Sequence, residues 1–303
     1  MGKIYEALER SRGQAAELVL PLLTRHRLPG PETAGGSTLE EPDRLNQGSP
    51  TCPQARLAGP DARIRAASVR IAPGSPLLLF DGLYPQVAEQ YRIIRTRIVQ
   101  HPRQPRLLAI SSPQPGDGKT STAINIGVAL SRKRDTTALV VDADLRQPSL
   151  DRVLGLPACS GLAEVLAGAC RLDQALRRVD SWPSLYLLPA GARPDNPTEL
   201  LDSNQWRVLC EEFRRQFQFV VLDAPPVGWV ADYDLIQEVS DGVVLVITPH
   251  RTSRRLCLRA LDGVPEGKLT GAVMNCVPKR PWWKPARYQP DYCCPEESGP
   301  LAP

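Results

Sequence analysis

Six short apolar runs constrain the fold more than any other feature of this chain. They are "RLLAIS" (106–111), "ALVVDA" (138–143), "LYLLPA" (185–190), "FVVLDA" (219–224), "GVVLVIT" (242–248) and "LTGAVMN" (269–275). Near-continuous apolar runs of this length suit strands covered on both faces. Helical stretches lie between them at 119–133, 198–216, 231–239 and 252–262. The alternation predicts an α/β fold: a doubly wound, mostly parallel sheet with helices on both faces. Ligands of such sheets bind at the carboxyl ends of the strands. There is no internal repeat.

The flanks read differently. Residues 1–22 are expected to form an N-terminal helix, with Ile4, Ala7 and Leu8 at helical spacing. Residues 23–79 are rich in Pro, Gly, Ser and charge and read as a flexible linker. Residues 80–277 read as the folded domain, and 278–303 as a mobile, proline-dense tail that contains tyrosines. A chain of 303 residues with 42% hydrophobic composition has room for one sizeable domain plus such appendages. A net charge of +4 is too small and too scattered to argue for nucleic acid. The eight cysteines form no Cys-x-x-Cys pair and only three histidines accompany them, which argues against a zinc site or a disulfide framework. No apolar run approaches the roughly 18 to 20 residues of a membrane span. The first ten residues, "MGKIYEALER", lack the apolar core of a signal peptide, so a cytoplasmic protein is expected.

The chemistry gathers at the ends of three predicted strands. After the first comes "SSPQPGDGKTST" (111–122), leading into a helix. Gly116 and Gly118 let backbone N–H groups turn toward phosphate oxygens, and the helix N-terminus adds partial positive charge. Lys119 is expected on the β- and γ-phosphates, and the Thr120 hydroxyl on Mg²⁺. Pro113 stands where the first glycine of a phosphate loop usually lies. The second strand ends in "VVDADLRQP", where Asp142 and Asp144, two residues apart, point to the same side. Such a pair is costly unless it meets a cation or a proton; the alternative is one aspartate capping the next helix. The third ends in "VVLDAPP", with Asp223 as a second metal-orienting acid. Upstream, Glu89, Arg92 and Arg95 share one helical face, as a charge-paired surface or as a subunit contact.

Together, "SSPQPGDGKTS", "VVDADLRQP" and "VVLDAPP" resemble the Walker A, Walker A′ and Walker B motifs of the bacterial tyrosine autokinases of capsule and exopolysaccharide synthesis, the CpsD/CapB type. "GLPACSGLAEVLAG", "LYLLPAG" and "NPTELL" are further matches, and "MGKIYEALER" is similar to the leader of kinases paired with export systems. The resemblance implies a P-loop NTPase fold of the MinD/ParA kind, with ATP and Mg²⁺ as ligands. It implies that Pro115, Gly116, Asp117, Gly118, Lys119, Thr120 and Ser121 cradle the nucleotide and that Asn275 contacts its base. Asn275 as a plain strand-end turn residue is the other reading. Asp142 corresponds to the base that takes the tyrosine proton, and Lys119, Asp144 and Arg146 to further catalytic groups. Thr120, Asp142, Asp144 and Asp223 correspond to the metal shell. Glu89, Arg92 and Arg95 correspond to an oligomerisation motif. The implied partners are neighbouring copies in a ring and the cytoplasmic end of a membrane polysaccharide co-polymerase, a Wzz-like chain-length determinant. That partner would hold the protein peripherally at the inner membrane.

Two features depart from the family. The tail offers only Tyr288 and Tyr292 as candidate phosphoacceptors instead of a dense tyrosine cluster, and Ala224 replaces the usual Thr or Ser after the Walker B aspartate. Two other functions stay open on sequence: an ATP-binding pseudokinase scaffold, and a ParA/MinD-like ATPase switch. Against the switch, Gln114 stands where those ATPases carry an extra lysine.

Overall fold

A computed structural model describes residues 64–69, 77 and 85–276. The stretches read as N-terminal helix and C-terminal tail, with Tyr288 and Tyr292, lie outside the described residues. Among the described residues, eight strands form one sheet: β1 (Arg65–Ala67), β2 (Leu107–Ser111), β3 (Ala138–Asp142), β4 (Arg177–Val179), β5 (Trp182–Leu188), β6 (Phe219–Asp223), β7 (Gly242–Ile247) and β8 (Leu269–Met274). Their order across the sheet is β1-β4-β5-β3-β6-β2-β7-β8. All neighbours run parallel except β4 and β5, a short antiparallel pair. The doubly wound, mostly parallel sheet expected from the apolar runs is the one observed.

The described helices are α1 (Pro85–Val99), α2 (Lys119–Ser131), α3 (Leu150–Leu154), α4 (Leu162–Leu166), α5 (Leu172–Ala175), α6 (Pro197–Leu201), α7 (Asn204–Gln216), α8 (Asp232–Val239) and α9 (Arg254–Asp262). They cover both faces. Every residue of β2 and β3 is buried. Alternate strand residues feed two cores, because successive side chains point to opposite sides. One core joins Leu107, Ala109, Leu139, Val141, Val220 and Leu222 to Trp206 and Phe213 of α7 and to Tyr233 of α8. The other joins Leu108, Ile110, Val140 and Val221 to Tyr91, Ile94 and Ile98 of α1 and to the buried side of α2. Each fully buried Leu or Ile contributes roughly 1.5–3 kcal/mol relative to exposure, so these two layers carry most of the stability.

Helix α7 shows how pattern becomes packing. Trp206, Leu209, Cys210 and Phe213 fall at spacings of three, one and three and are its buried residues. The Ser203 side chain accepts from the backbone N–H of Trp206 and starts the helix. Residues 198–216, which the pattern offers as a single helical stretch, are thus two helices, with Asp202 and Ser203 between them.

The stretch read as linker contributes to the sheet. Arg65–Ala67 pairs in parallel with Arg177–Val179, and Leu77 is fully buried in the second core. Three residues are too few to display a period of two, so β1 and β4 left no pattern to read.

Candidate nucleotide and phosphoryl-transfer site

Sheet order builds the site. Strands β3, β6 and β2 are neighbours, so their carboxyl ends lie side by side. Asp142 and Asp223 are register partners, and Asp223 also pairs with Ile110 one residue before the end of β2. The phosphate loop leaves β2 beside them and turns into α2. Gly118 makes that turn at φ 88°, a left-handed conformation that favours glycine. A Cβ there would collide with the Asn275 side-chain amide.

Lys119 is the first residue of α2, and its ammonium lies among three buried carboxylates. Lys119 Nζ donates to Asp144 Oδ2 at 2.7 Å and stands 3.6 Å from Asp223 Oδ1. The second distance is electrostatic and longer than a hydrogen bond. Neither Asp223 oxygen accepts a hydrogen bond from a described residue, although both are buried. Burial works against the charge of Lys119, but Asp223 and Asp144 overcome it and raise its pKa above the ordinary lysine value. Burial raises the pKa of Asp223, with Lys119 opposing. Asp142 is pushed up to about 7, first by burial and then by neighbouring Asp223. The Asp142 carboxylate is oriented by backbone N–H groups: Oδ2 accepts from Ser149 and Leu150, each at 2.9 Å, and Oδ1 from Asp144 at 3.3 Å.

Thr120 is also in the cluster, its hydroxyl 2.9 Å from that of Ser149. Arg146 points elsewhere. Its Nε donates to Asp232 Oδ2 at 2.8 Å and its Nη2 to Thr198 Oγ1 at 2.7 Å, which fixes the loop after β3 to α6 and α8. Asn275 donates to the backbone carbonyl of Asp117 at 3.0 Å, so it holds the phosphate loop itself. Pro115 is exposed on the outer turn of the loop, and Ser121 is half-buried in the first turn of α2. Glu89 and Arg92 form an exposed ion pair on α1. Among the described residues, no hydrogen bond or ion pair joins them or Arg95 to the phosphate loop.

Several residues of the loop's support left no sequence signal. The Thr252 hydroxyl donates to Asp117 Oδ1 at 2.8 Å, the Thr248 hydroxyl to Asp117 O at 3.2 Å, and Arg251 Nη1 to Gly116 O at 2.8 Å. Trp229 is 57% exposed, yet its indole N–H donates to Pro113 O at 3.0 Å. The proline that replaces glycine at the loop entrance thus presents a carbonyl that an aromatic side chain caps. These partners come from loops that only the sheet order brings together.

No protein-family model matches the chain. Over 192 residues it is 35% identical to the tyrosine-protein kinase YwqD of Bacillus subtilis (strain 168), covering 62% of this chain and 80% of that protein. The chain belongs to the bacterial tyrosine-protein kinases. The putative tyrosine-protein kinase CapB of Staphylococcus aureus is 29% identical over 210 residues, covering 67% of this chain and 90% of that protein. Among solved structures, the chimerical protein CapA2B2 superposes with a TM-score of 0.63 at 26% identity, covering 71% of this chain and 95% of that one. The BceF tyrosine kinase domain does so with a TM-score of 0.58 at 26% identity, covering 72% and 84%. As a bacterial tyrosine-protein kinase, the chain binds nucleotide and transfers phosphate to tyrosine.

Proposed function

We propose that this kinase takes the γ-phosphoryl group of ATP and places it on tyrosines of its own kind, Tyr288 and Tyr292 of a neighbouring copy, and so regulates capsule or exopolysaccharide polymerisation and export. The observation that carries this reading is one lysine facing three buried carboxylates beside a phosphate loop. The excess negative charge is costly to bury without a further cation. Mg²⁺, which is commonly held by carboxylates together with nucleotide phosphates, would supply that cation. Thr120, Asp142, Asp144 and Asp223 are its proposed holders, and Asp223, whose buried oxygens face Lys119 without accepting a hydrogen bond, suits it best. Bound there, Mg²⁺ would neutralise charge on the phosphate oxygens.

The chain's own groups do the rest. Lys119 exchanges Asp144 for the β- and γ-phosphates. The tyrosine oxygen forms a bond to the γ-phosphorus as the bond from that phosphorus to the β-phosphate oxygen breaks, and ADP leaves. The phenol proton passes to Asp142. A phenol has a pKa near 10, and an ionised carboxylate placed beside it is a far better acceptor than water at neutral pH. Asn275, Thr252 and Arg251 keep the loop in shape. The exposed Glu89, Arg92 and Arg95 are the proposed contact to the next copy in a ring. A membrane polysaccharide co-polymerase is the proposed activator, and its cytoplasmic end would bring the kinase to the membrane.

The test is phosphotyrosine mapping by mass spectrometry after incubation with Mg-ATP, with and without the cytoplasmic segment of such a partner fused to the N-terminus. Lys119→Met should lower incorporation by at least about 10²-fold, the usual cost of removing one transition-state charge partner. ATP binding without phosphotyrosine in either format would leave a scaffold and sink the autokinase reading.

A further inference from the structure

Helix α9 carries charge that the fold does not use. Arg254, Arg255 and Arg259 are exposed, and no acidic residue stands in the first turn. None of the three makes an ion pair with a described residue. Arg254 and Arg255 sit in the first turn, where the partial positive charge of the helix end repels them. Arg251 adds a fourth cation just ahead, already bonded to the phosphate loop. A surface that concentrates cations against the helix dipole is suited to an anionic partner.

The position of α9 suggests which partner. Asp117 accepts from Thr252, just before α9, and from Asn275, just after β8. The start of α9 and the point where the chain leaves the described fold are therefore fastened to the same residue of the phosphate loop. Residues 277–303 follow, outside the described residues. Their sequence divides by charge. Lys279, Arg280, Lys284 and Arg287 precede Tyr288, whereas Asp291, Glu296 and Glu297 surround Tyr292. Residues 277–292 can span up to roughly 50 Å when extended, enough to reach α9 from the end of β8.

We propose that the arginine face of α9 docks the acidic part of the same chain's C-terminal segment, residues 291–297, and thereby presents Tyr292 rather than Tyr288 to the neighbouring copy as the preferred acceptor. The preference rests on the reading that the C-terminal tyrosines are acceptors; the docking itself does not. Three acidic side chains meet three arginines, and the basic flank of Tyr288 is repelled. Exposed pairs of this kind are screened by salt, so docking should weaken as ionic strength rises.

Two measurements on the full chain test this. In the first, phosphate on Tyr292 and Tyr288 is counted separately after incubation with Mg-ATP. Tyr292 should lead in the wild type. The lead should disappear in R254E/R255E/R259E with ATP binding unchanged, and return when D291K/E296K/E297K is added to that variant. A lead for Tyr288, or a ratio indifferent to the charge reversal, would overturn the proposal. In the second, a fluorescein-labelled peptide of residues 286–299 is titrated in reducing buffer. It should bind R254E/R255E/R259E about tenfold more weakly than wild type, the combined effect of three exposed ion pairs. Equal binding would overturn the docking even if the tail is phosphorylated. Loss of binding in the variant would uphold the docking even if no phosphotyrosine forms, and the acceptor reading alone would then fail. Arginine-dependent binding to phosphatidylglycerol vesicles, with the phosphorylation ratio unchanged, would assign the face to a lipid surface instead.

Discussion

Asp142 combines nearly complete burial, a register partner of the same charge, and three backbone N–H groups aimed at its oxygens. Burial and Asp223 win, and the group titrates at about 7 instead of the ordinary 3.8. The sign of the consequence follows. Between roughly pH 4 and 7 the folded chain keeps a proton that an unfolded aspartate has lost, so this group favours the fold less as pH rises through that window. Activity runs the other way, because the base must be ionised. The kcat/KM for autophosphorylation should fall tenfold per pH unit below about 7, and Asp142→Asn should be nearly inactive with no such limb; a pH-rate profile of both proteins checks this. Asp142, Asp144, Lys119 and Asp223 were legible in the sequence because acids at strand ends and a Gly-Lys-Thr turn have few other uses. Thr252, Arg251 and Trp229 were not, because each contacts its partner across a gap in sequence that no local pattern spans. Thr252 and Asp117 are 135 residues apart.

At the scale of elements, helix α2 lies against β3 closely enough that Gly127 is needed. A Cβ at that position would collide with the Val140 side chain. Alanine is ordinarily the better helix former by about 1 kcal/mol. Here the close approach reverses the sign: Gly127→Ala should lower the Tm by about 3–8 °C, consistent with an overpacking cost of roughly 1–3 kcal/mol. Thermal melts of the two proteins decide it, and a higher Tm for alanine would show that the layers have slack. The strands with five or more residues were readable because two-sided burial writes a continuous apolar run. The three-residue strands β1 and β4, and the break between α6 and α7, depend on tertiary pairing and a single serine cap, which composition does not display.

At the scale of the molecule, Asp241 ties distant parts together. It accepts from the backbone N–H groups of Arg106 and Leu107 at 2.9 and 2.8 Å, where β2 begins, and from Arg214 Nη2 of α7 at 2.9 Å. Burial opposes its charge, but Arg214 and the two N–H groups overcome it and hold its pKa below the ordinary carboxylate value. A depressed carboxylate stabilises the fold above its unfolded pKa and loses that contribution as pH falls through the folded one. Asp241→Asn should therefore lower the Tm by about 2–4 °C at pH 7, with the gap closing toward pH 3. Melts at both pH values read it directly. The eight-strand order has a further consequence. The described chain enters the sheet at one outer edge, through β1, and leaves at the other, through β8. At about 4.8 Å between neighbouring strands, seven gaps separate these edges by roughly 34 Å. The two ends of the described fold therefore lie across the full width of the sheet from each other.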